Sequence, residues 1–469
     1  MKNFFKTAAM VVATIAMTAG FASCDNDDLG QAPESVSTKA TVVIPHNTVI
    51  TANTTWSSTN EYILNGKVYV DAPATLTIQP GTVIKGVYNS DPYLASALVV
   101  TRGAKINAEG TAANPIVFTA QNGQKGGWGG IVLLGRAPIN QDDQVIEGID
   151  PVVVDIPAGV DVEYGGGGAG LGDSDDDSGV LRYVRVEYAG AAISPANELN
   201  AFTFGGVGKG TTLEYLQAYY GADDAFEWFG GTVDAKYLVS TATDDDAFDF
   251  DFGYIGRIQF AVSTIDPSAS YSSDPNGIEC DNQGGSGPWP ATPKTHPVLS
   301  NFTIVGTSNG AIGGGGVGGY LKSGANFRRG TEFTLVNSIL YGFPRGILKE
   351  TDAINYVLRN NVVAAVGTPG IAFSASSTTN AAFVAHVSND SVAVSGITLS
   401  DPFNYSTFYT SNALKPTGGA ALDGDYYTHS DSWFTNTQYK GAIANGLPNS
   451  WLRQSWIKTG EIEFIFIIN

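Results

Sequence analysis

Cysteine is almost missing from this chain: 469 residues hold two, Cys24 and Cys280. If Cys24 is consumed at an export site, one thiol remains and no intramolecular disulfide can form. Cys280, in Ile278-Glu279-Cys280-Asp281, then reads as a small buried residue rather than a catalytic thiol. Histidine is nearly as rare, with His46, His296, His386 and His429 scattered along the chain. Positive charge is also short: 25 Lys and Arg against 45 Asp and Glu leave a formal charge of −20. That balance argues against nucleic acid and anionic lipid surfaces as partners, and leaves cations, cationic or neutral ligands, and sugars. Beyond the first two dozen residues there is no apolar run of about 20, the length of a membrane span. Helical periodicity is scarce throughout. What the chain has instead is 57 glycines and 43% hydrophobic residues, the composition of many short strands joined by tight turns.

The first residues read as an export signal. Lys2 and Lys6 precede the apolar stretch Ala8 to Gly20, and Phe21-Ala22-Ser23-Cys24 places small residues before a cysteine. That arrangement is similar to a bacterial lipobox, in which Cys24 carries the lipid and becomes the mature N-terminus. Residues 25–40, opening with Asp25-Asn26-Asp27-Asp28, are too polar to bury a core and read as a flexible tether. The acidic run resembles a surface-export signal, so a lipid-anchored, outer-membrane, surface-exposed protein is expected.

From Thr41 to Ser400 the chain repeats itself at 22 residues. Leu76, Ile78, Gly81 and Ile84 are echoed by Leu98, Val100, Gly103 and Ile106. Tyr215, Leu216, Asp224, Phe226 and Gly231 are echoed by Tyr237, Leu238, Asp246, Phe248 and Gly253. A period in the twenties means stacked coils, each burying its apolar face against its neighbours. Short strands without hairpin dipeptides favour parallel stacking, hence an all-β, single-stranded parallel β-helix over 41–400. Asn337 and Ile339 are echoed by Asn360 and Val362, and asparagines at equivalent turns can hydrogen-bond up a solenoid. Three insertions, Asn140–Gly179, Asp266–Pro297 and Gly310–Gly319, are expected to crowd the binding face. Residues 401–469 lose the repeat and gain Trp433, Tyr439, Trp451 and Trp456, the pattern of an irregular cap over the last coil. The closing apolar stretch 460–469 is strand-like and would be an aggregation hazard if exposed.

Several segments together carry a family resemblance: Leu76-Thr77-Ile78-Gln79-Pro80-Gly81-Thr82-Val83-Ile84, Gly127-Trp128-Gly129-Gly130, Val180 to Tyr188, Phe226-Glu227-Trp228-Phe229-Gly230-Gly231 and Arg328-Arg329-Gly330-Thr331. The chain resembles the β-helix outer-membrane lipoproteins and secreted proteins of Bacteroidetes, related to a leptospiral outer-membrane lipoprotein family. The resemblance implies a right-handed helix at the cell surface and an association with TonB-dependent receptors. It implies no activity and no site residues.

The sharpest chemical signal is a pair of acidic coils. The 22-residue offset sets Asp223 beside Asp245, Asp224 beside Asp246 and Glu227 beside Asp249. Alternation turns Phe248, Phe250 and Phe252 inward and Asp249 and Asp251 outward. Neighbouring coils lie about 4.8 Å apart, where stacked like charges are destabilising unless compensated. Ca²⁺, which takes six to eight oxygen ligands, would compensate them through some of Asp223, Asp224, Asp244, Asp245, Asp246 and Asp249. Solvated turn residues capping backbone amides are the alternative. Asp173, Asp175 and Asp177 do not form an EF-hand, because Ser178 and Val184 occupy the positions that need glycine and glutamate.

Three functions fit these features. The first is a non-catalytic surface binding or accessory protein taking a glycan or nutrient for a TonB-dependent importer, with Glu227, Asp251, Trp128 and Trp289 as ligand contacts. The second is a β-helical polysaccharide lyase or hydrolase using the acidic coils, with Arg257, Arg328 or Arg329 beside the cation. The third is a structural or adhesive solenoid. No Gly-His-Gly segment, nucleophile elbow, Walker loop or His-Glu-x-x-His motif supports the second.

Overall fold

The computed structural model describes residues 39–459 except 143, 195–196, 273, 313–319, 351–354, 376–388, 393–395, 397–398, 406–408, 410–412 and 445–450. The export signal with Cys24, the tether up to Thr38, most of Gly310–Gly319 and the apolar stretch 460–469 lie outside the described residues.

Each circuit of the chain lays down three short strands. One circuit is Thr54–Trp56, Asn60–Asn65 and Lys67–Val70; the next is Thr75–Ile78, Val83–Gly86 and Ala97–Val100. Corresponding strands pair in parallel, Thr54 with Leu76, Glu61 with Val83 and Lys67 with Ala97. The result is a right-handed parallel β-helix. Its first two faces share a 17-stranded sheet, and its third face is an 11-stranded sheet. Alternation does the sorting: in Thr75–Ile78, Leu76 and Ile78 are buried while both threonines are half-exposed. The inward residues of successive coils form one continuous core, with Leu76, Ile106, Leu181, Leu213 and Ile258 among them.

From Gly179–Glu187 to Val298–Val305, one strand covers the first two faces and bends between them; the later coils divide into two strands at the same corner. The bend sits on Tyr183, Tyr215, Tyr237, Phe260, Asn301, Asn337 and Asn360, all with φ between 50° and 65°. Asparagine tolerates this left-handed conformation, whereas for tyrosine and phenylalanine it costs about 1–2 kcal/mol. Stacking offsets that cost. The rings of Tyr183, Tyr215 and Tyr237 lie 4.4 Å apart and nearly parallel, and Phe260 continues the pile at 5.2 Å. The hydrogen-bonded amide ladder forms one residue further on: Asn361 donates to Asn389, and Ser338 N donates to Asn361. Asn337 instead bonds Tyr427.

The 22-residue offset is a true coil offset in some coils and not in others. Leu216 pairs with Leu238, and Glu227 with Asp249. The Leu76/Leu98 echo does not describe a coil. Leu76 pairs with Ile106 on the first face and Leu98 with Val68 on the third. Both strands run apolar–x–apolar into a glycine turn, which is why they look alike.

The described residues of the irregular C-terminal segment lie along the flank of the solenoid. Asn301 donates to the Thr437 hydroxyl and to the Gly441 carbonyl, and Gln259 to the Thr435 carbonyl. Gln217 bonds Lys458, Arg185 bonds the Trp456 carbonyl, and Ser455 reaches Ala112. Trp456, fully buried, sets its edge against both Tyr183 and Tyr215. Replacing it by alanine removes that anchor at a cost of about 3–5 kcal/mol. In Trp456→Ala, limited proteolysis is expected to cut within 430–459 at protease levels the native protein resists, leaving the coils intact. An unchanged cleavage pattern would refute the anchoring role.

Candidate functional site

The third face carries the acidic residues on its outward side. Its strands Phe202–Gly205, Phe226–Phe229, Asp249–Asp251, Glu279–Cys280 and Ser323–Phe327 pair in register. One outward column reads Thr203, Glu227, Asp249, Glu279, Asn326. Trp228, Phe250 and Cys280 point inward between the carboxylates and are fully buried. Phe252 departs from the expected alternation: with φ 47° it turns at the strand end and stacks on Phe229 outside the core.

Just before these strands, Asp224 and Asp246 climb the corner. Asp224 Oδ1 accepts from Asp246 N at 2.8 Å, and Asp246 Oδ1 accepts from Asn276 N at 2.7 Å. These bonds are the amide capping that the turn alternative requires, and they use one oxygen of each carboxylate. Carboxylate oxygens of adjoining residues and coils also converge. Asp223, Asp224 and Asp245 form one group, Asp224, Glu227 and Asp249 a second, and Asp246, Asp249 and Glu279 a third, each with ligand atoms within 4.8 Å of one another. All are oxygen donors, the set that suits a hard divalent cation. Asp251 borders the same groups in the next outward position.

Burial and mutual repulsion act together on this bay. Asp223, Asp224, Glu227, Asp246, Asp251 and Glu279 are all pushed well above the carboxylate range, first by desolvation and then by neighbouring carboxylates. Asp249 is raised to about 7 by burial and Asp281, against the pull of Arg328. Asp245 is raised to about 6, with Ser272 hydrogen-bonding it at 2.6 Å. At the rim, Glu147 is raised to about 7 by burial and by Glu198. Among the described residues, the ion pairs of these carboxylates come from one end. Arg328 pairs with Glu279 and with Asp281 at 2.9 Å, and Arg329 reaches Asp281 at 2.6 Å.

The insertions frame the bay. Residues of 140–178, including Ile146, Ile149, Val154 and Tyr164, pack on the outside of the third face above Val99, Val132 and Leu134. Asn140 ties this insertion to Asn282 of the next one at 2.8 Å. A cavity of about 420 Å³ shares Glu198 and Ala222 with the rim and is lined by Tyr88, Gly126, Gly127 and Gly190. Tyr88 is 58% exposed.

Two expected site residues lie elsewhere. Trp128 is 1% exposed and belongs to the core, where its ring stacks on Phe118 and its Nε1 donates to the Glu187 carbonyl. The neighbouring glycines make room for close packing instead of opening the ring to solvent. Asp244 pairs with Lys125, outside the three groups. Trp289 stays half-buried in its loop, its carbonyl accepting from Lys294 and Asn282. Glu279, Asp281, Asn200 and Glu198 were not legible as site residues. The coil carrying Glu279 is lengthened by the 266–277 loop, so no fixed offset points to it.

Comparison with protein families matches residues 48–412 to the pectate-lyase-like β-helix domain. No curated protein and no solved structure matches. Among the described residues, no helix is long and apolar enough to cross a membrane.

A pH dependence follows from the raised carboxyls. An unfolded carboxyl titrates near 4, so between about 4 and 7 the folded chain holds protons the unfolded chain has lost. The stability they contribute is complete below the unfolded value and disappears as pH rises through 6 to 7. With a chelator present, Tm is expected to fall from pH 5 to pH 8, and Asp249→Asn to flatten that fall. A Tm that rises over this interval would contradict the assignment.

Proposed function

The chain belongs to the pectate-lyase-like β-helix family, and from that premise we propose that it binds a ligand at the cell surface without transforming it. In this proposal Cys24 holds it to the outer membrane, and the ligand is a glycan or another nutrient passed to a TonB-dependent importer. The observation that carries a binding role is the acidic bay with its adjoining cavity, where exposed Tyr88 faces a floor of small residues. An aromatic ring beside polar groups is the usual means of holding a sugar face.

The lyase alternative rests on Arg328 and Arg329, the arginines paired with the carboxylate ladder among the described residues. Elimination needs a deprotonated base that can accept a proton from the substrate. Arg328 is paired with Glu279 and Asp281, and those charges hold its guanidinium protonated against the opposing effect of burial. A retaining hydrolase needs two carboxyl groups about 5–5.5 Å apart across a scissile bond. The grouped oxygens here lie within 4.8 Å of one another on the outward side of the third face. The described histidines lie elsewhere: His46 accepts from Lys67 N, His296 meets Glu332, and His429 stacks on Phe434.

Incubated with acidic polysaccharides, the protein is expected to release no unsaturated product. Product that vanishes in Asp246→Ala would establish the lyase instead. Native purification from mildly solubilised envelopes is expected to recover a large outer-membrane barrel. Recovery of the protein alone, with binding to whole cells or matrix, would favour the adhesive solenoid.

A further inference from the structure

The first face treats its charges differently from the third. Its outward column in the middle coils reads Glu109, Arg182, Glu214, Lys236, with the sign alternating at every step. Arg182 pairs with Glu109 and with Glu214, each at 3.0 Å. Lys236 turns aside from this column: its Nζ donates to the Trp433 carbonyl at 2.7 Å and lies 4.4 Å from the centre of the indole ring. Arg257 stands 4.8 Å from the same ring and pairs with Asp234 and Asp431. Trp433, carried by the C-terminal segment, is thereby fixed over the first face.

Between that segment and the coils lies a cavity of about 430 Å³, within the range of about 300–1,000 Å³ usual for small-ligand clefts. Its charges cancel. Lys209 faces Asp175 at 3.2 Å, Arg257 faces Asp234, and Lys236 lies in register with Glu214. In a chain of net charge −20 this is a locally balanced wall, and an ionic ligand would have to displace an existing pair to gain a partner. The wall also keeps hydrogen-bonding capacity of both kinds. Glu214 commits one oxygen to Arg182 and Lys236 one N–H to Trp433, so the carboxylate keeps lone pairs and the ammonium keeps donors. Thr212, half-buried in the outward position before Glu214, adds a hydroxyl that both donates and accepts. The Trp433 ring is half-buried, and its Nε1 meets no acceptor among the described residues, whereas Trp128, Trp289, Trp451 and Trp456 all donate from theirs.

We propose that this cavity is a binding site for a neutral, polyhydroxylated ligand, with the sugar ring of a neutral glycan its best match. Vicinal hydroxyls donate and accept at once, so they span a wall of mixed donors and acceptors without bringing charge. The indole supplies the apolar contact that the C–H face of a sugar requires. An acidic sugar is disfavoured by the paired cations and by the negative charge of the whole chain. The site lies on a different face from the acidic bay and rests on its own lining, so its failure leaves the role of the bay untouched.

The test uses the full chain with neutral oligosaccharides of the gluco, xylo and manno series, and oligogalacturonate as the acidic comparison. Calorimetry is expected to give saturable heat with a neutral oligosaccharide and no Trp433-dependent heat with oligogalacturonate. Trp433→Ala and Glu214→Ala are each expected to weaken the neutral binding by roughly tenfold or more, the worth of one charge-assisted hydrogen bond or ring contact. Limited proteolysis is expected to find the C-terminal segment still docked in both, because Asn301, Gln259 and Gln217 hold it elsewhere. Lys85→Ala, on the second face, should leave the affinity unchanged. No heat with any of the neutral oligosaccharides overturns the site. Native affinity in both Trp433→Ala and Glu214→Ala places the sugar elsewhere, the bay included, and overturns this site alone. Oligogalacturonate binding that Trp433→Ala removes overturns the neutral class.

Discussion

Parallel, in-register stacking governs everything else in this molecule. Each outward position lies over its counterpart one coil away, at about 4.8 Å, so the helix cannot vary one residue without placing it against a similar one. For Leu216 and Leu238 that constraint builds a core. For Tyr183, Tyr215 and Tyr237 it builds a pile of rings that compensates a left-handed corner. For Glu227, Asp249 and Glu279 it concentrates charge where concentration is costly. One geometric rule therefore produces both the most stable and the least stable parts of the surface.

The acidic bay shows how the fold moderates that cost. Turn carboxylates lend an oxygen to the backbone of the next coil, as Asp224 does to Asp246 N. An arginine from a later coil enters the ladder at one end. The 140–178 insertion covers the neighbouring apolar coils of the same face and brings Glu147 to the rim beside Glu198. Exclusion of water raises the effect of each charge, and burial leads the carboxyl shifts in the bay. A site held in this condition responds strongly to protons and cations and weakly to neutral solutes.

How much of this was legible in the sequence varied with the regularity of the coils. The pairing of Asp224 with Asp246 could be read because both lie in consecutive coils of constant length. The inward turn of Trp228 followed from the same alternation. Glu279 and Asn326 could not be read, because loops intervene before each and reset the count. Leu76 and Leu98 misled because strands on different faces meet the same demand, apolar–x–apolar followed by a glycine turn. Trp128 misled through its glycines: a side chain at Gly86 would lie 2.5 Å from the Trp128 Cβ, and Gly127 and Gly129 are equally crowded. Glycine beside tryptophan marked tight packing there and not an open ring.

The C-terminal segment alters how the solenoid holds together in time as well as in space. A stack of coils joined only to nearest neighbours can fray from either end, one coil at a time. A segment that touches Asn337, Asn301, Gln259, Gln217 and Arg185 in turn ties the loss of any of these coils to the loss of the others. Those contacts span up to 271 residues of sequence and are synthesised after every coil they fasten. The coils must therefore stand on local stacking alone until residues 427–458 exist, and become a single cooperative unit only afterwards. Before that moment the aromatic pile on Tyr183, Tyr215 and Tyr237 is an exposed sticky stripe; after it, the same stripe is the seam that closes the molecule.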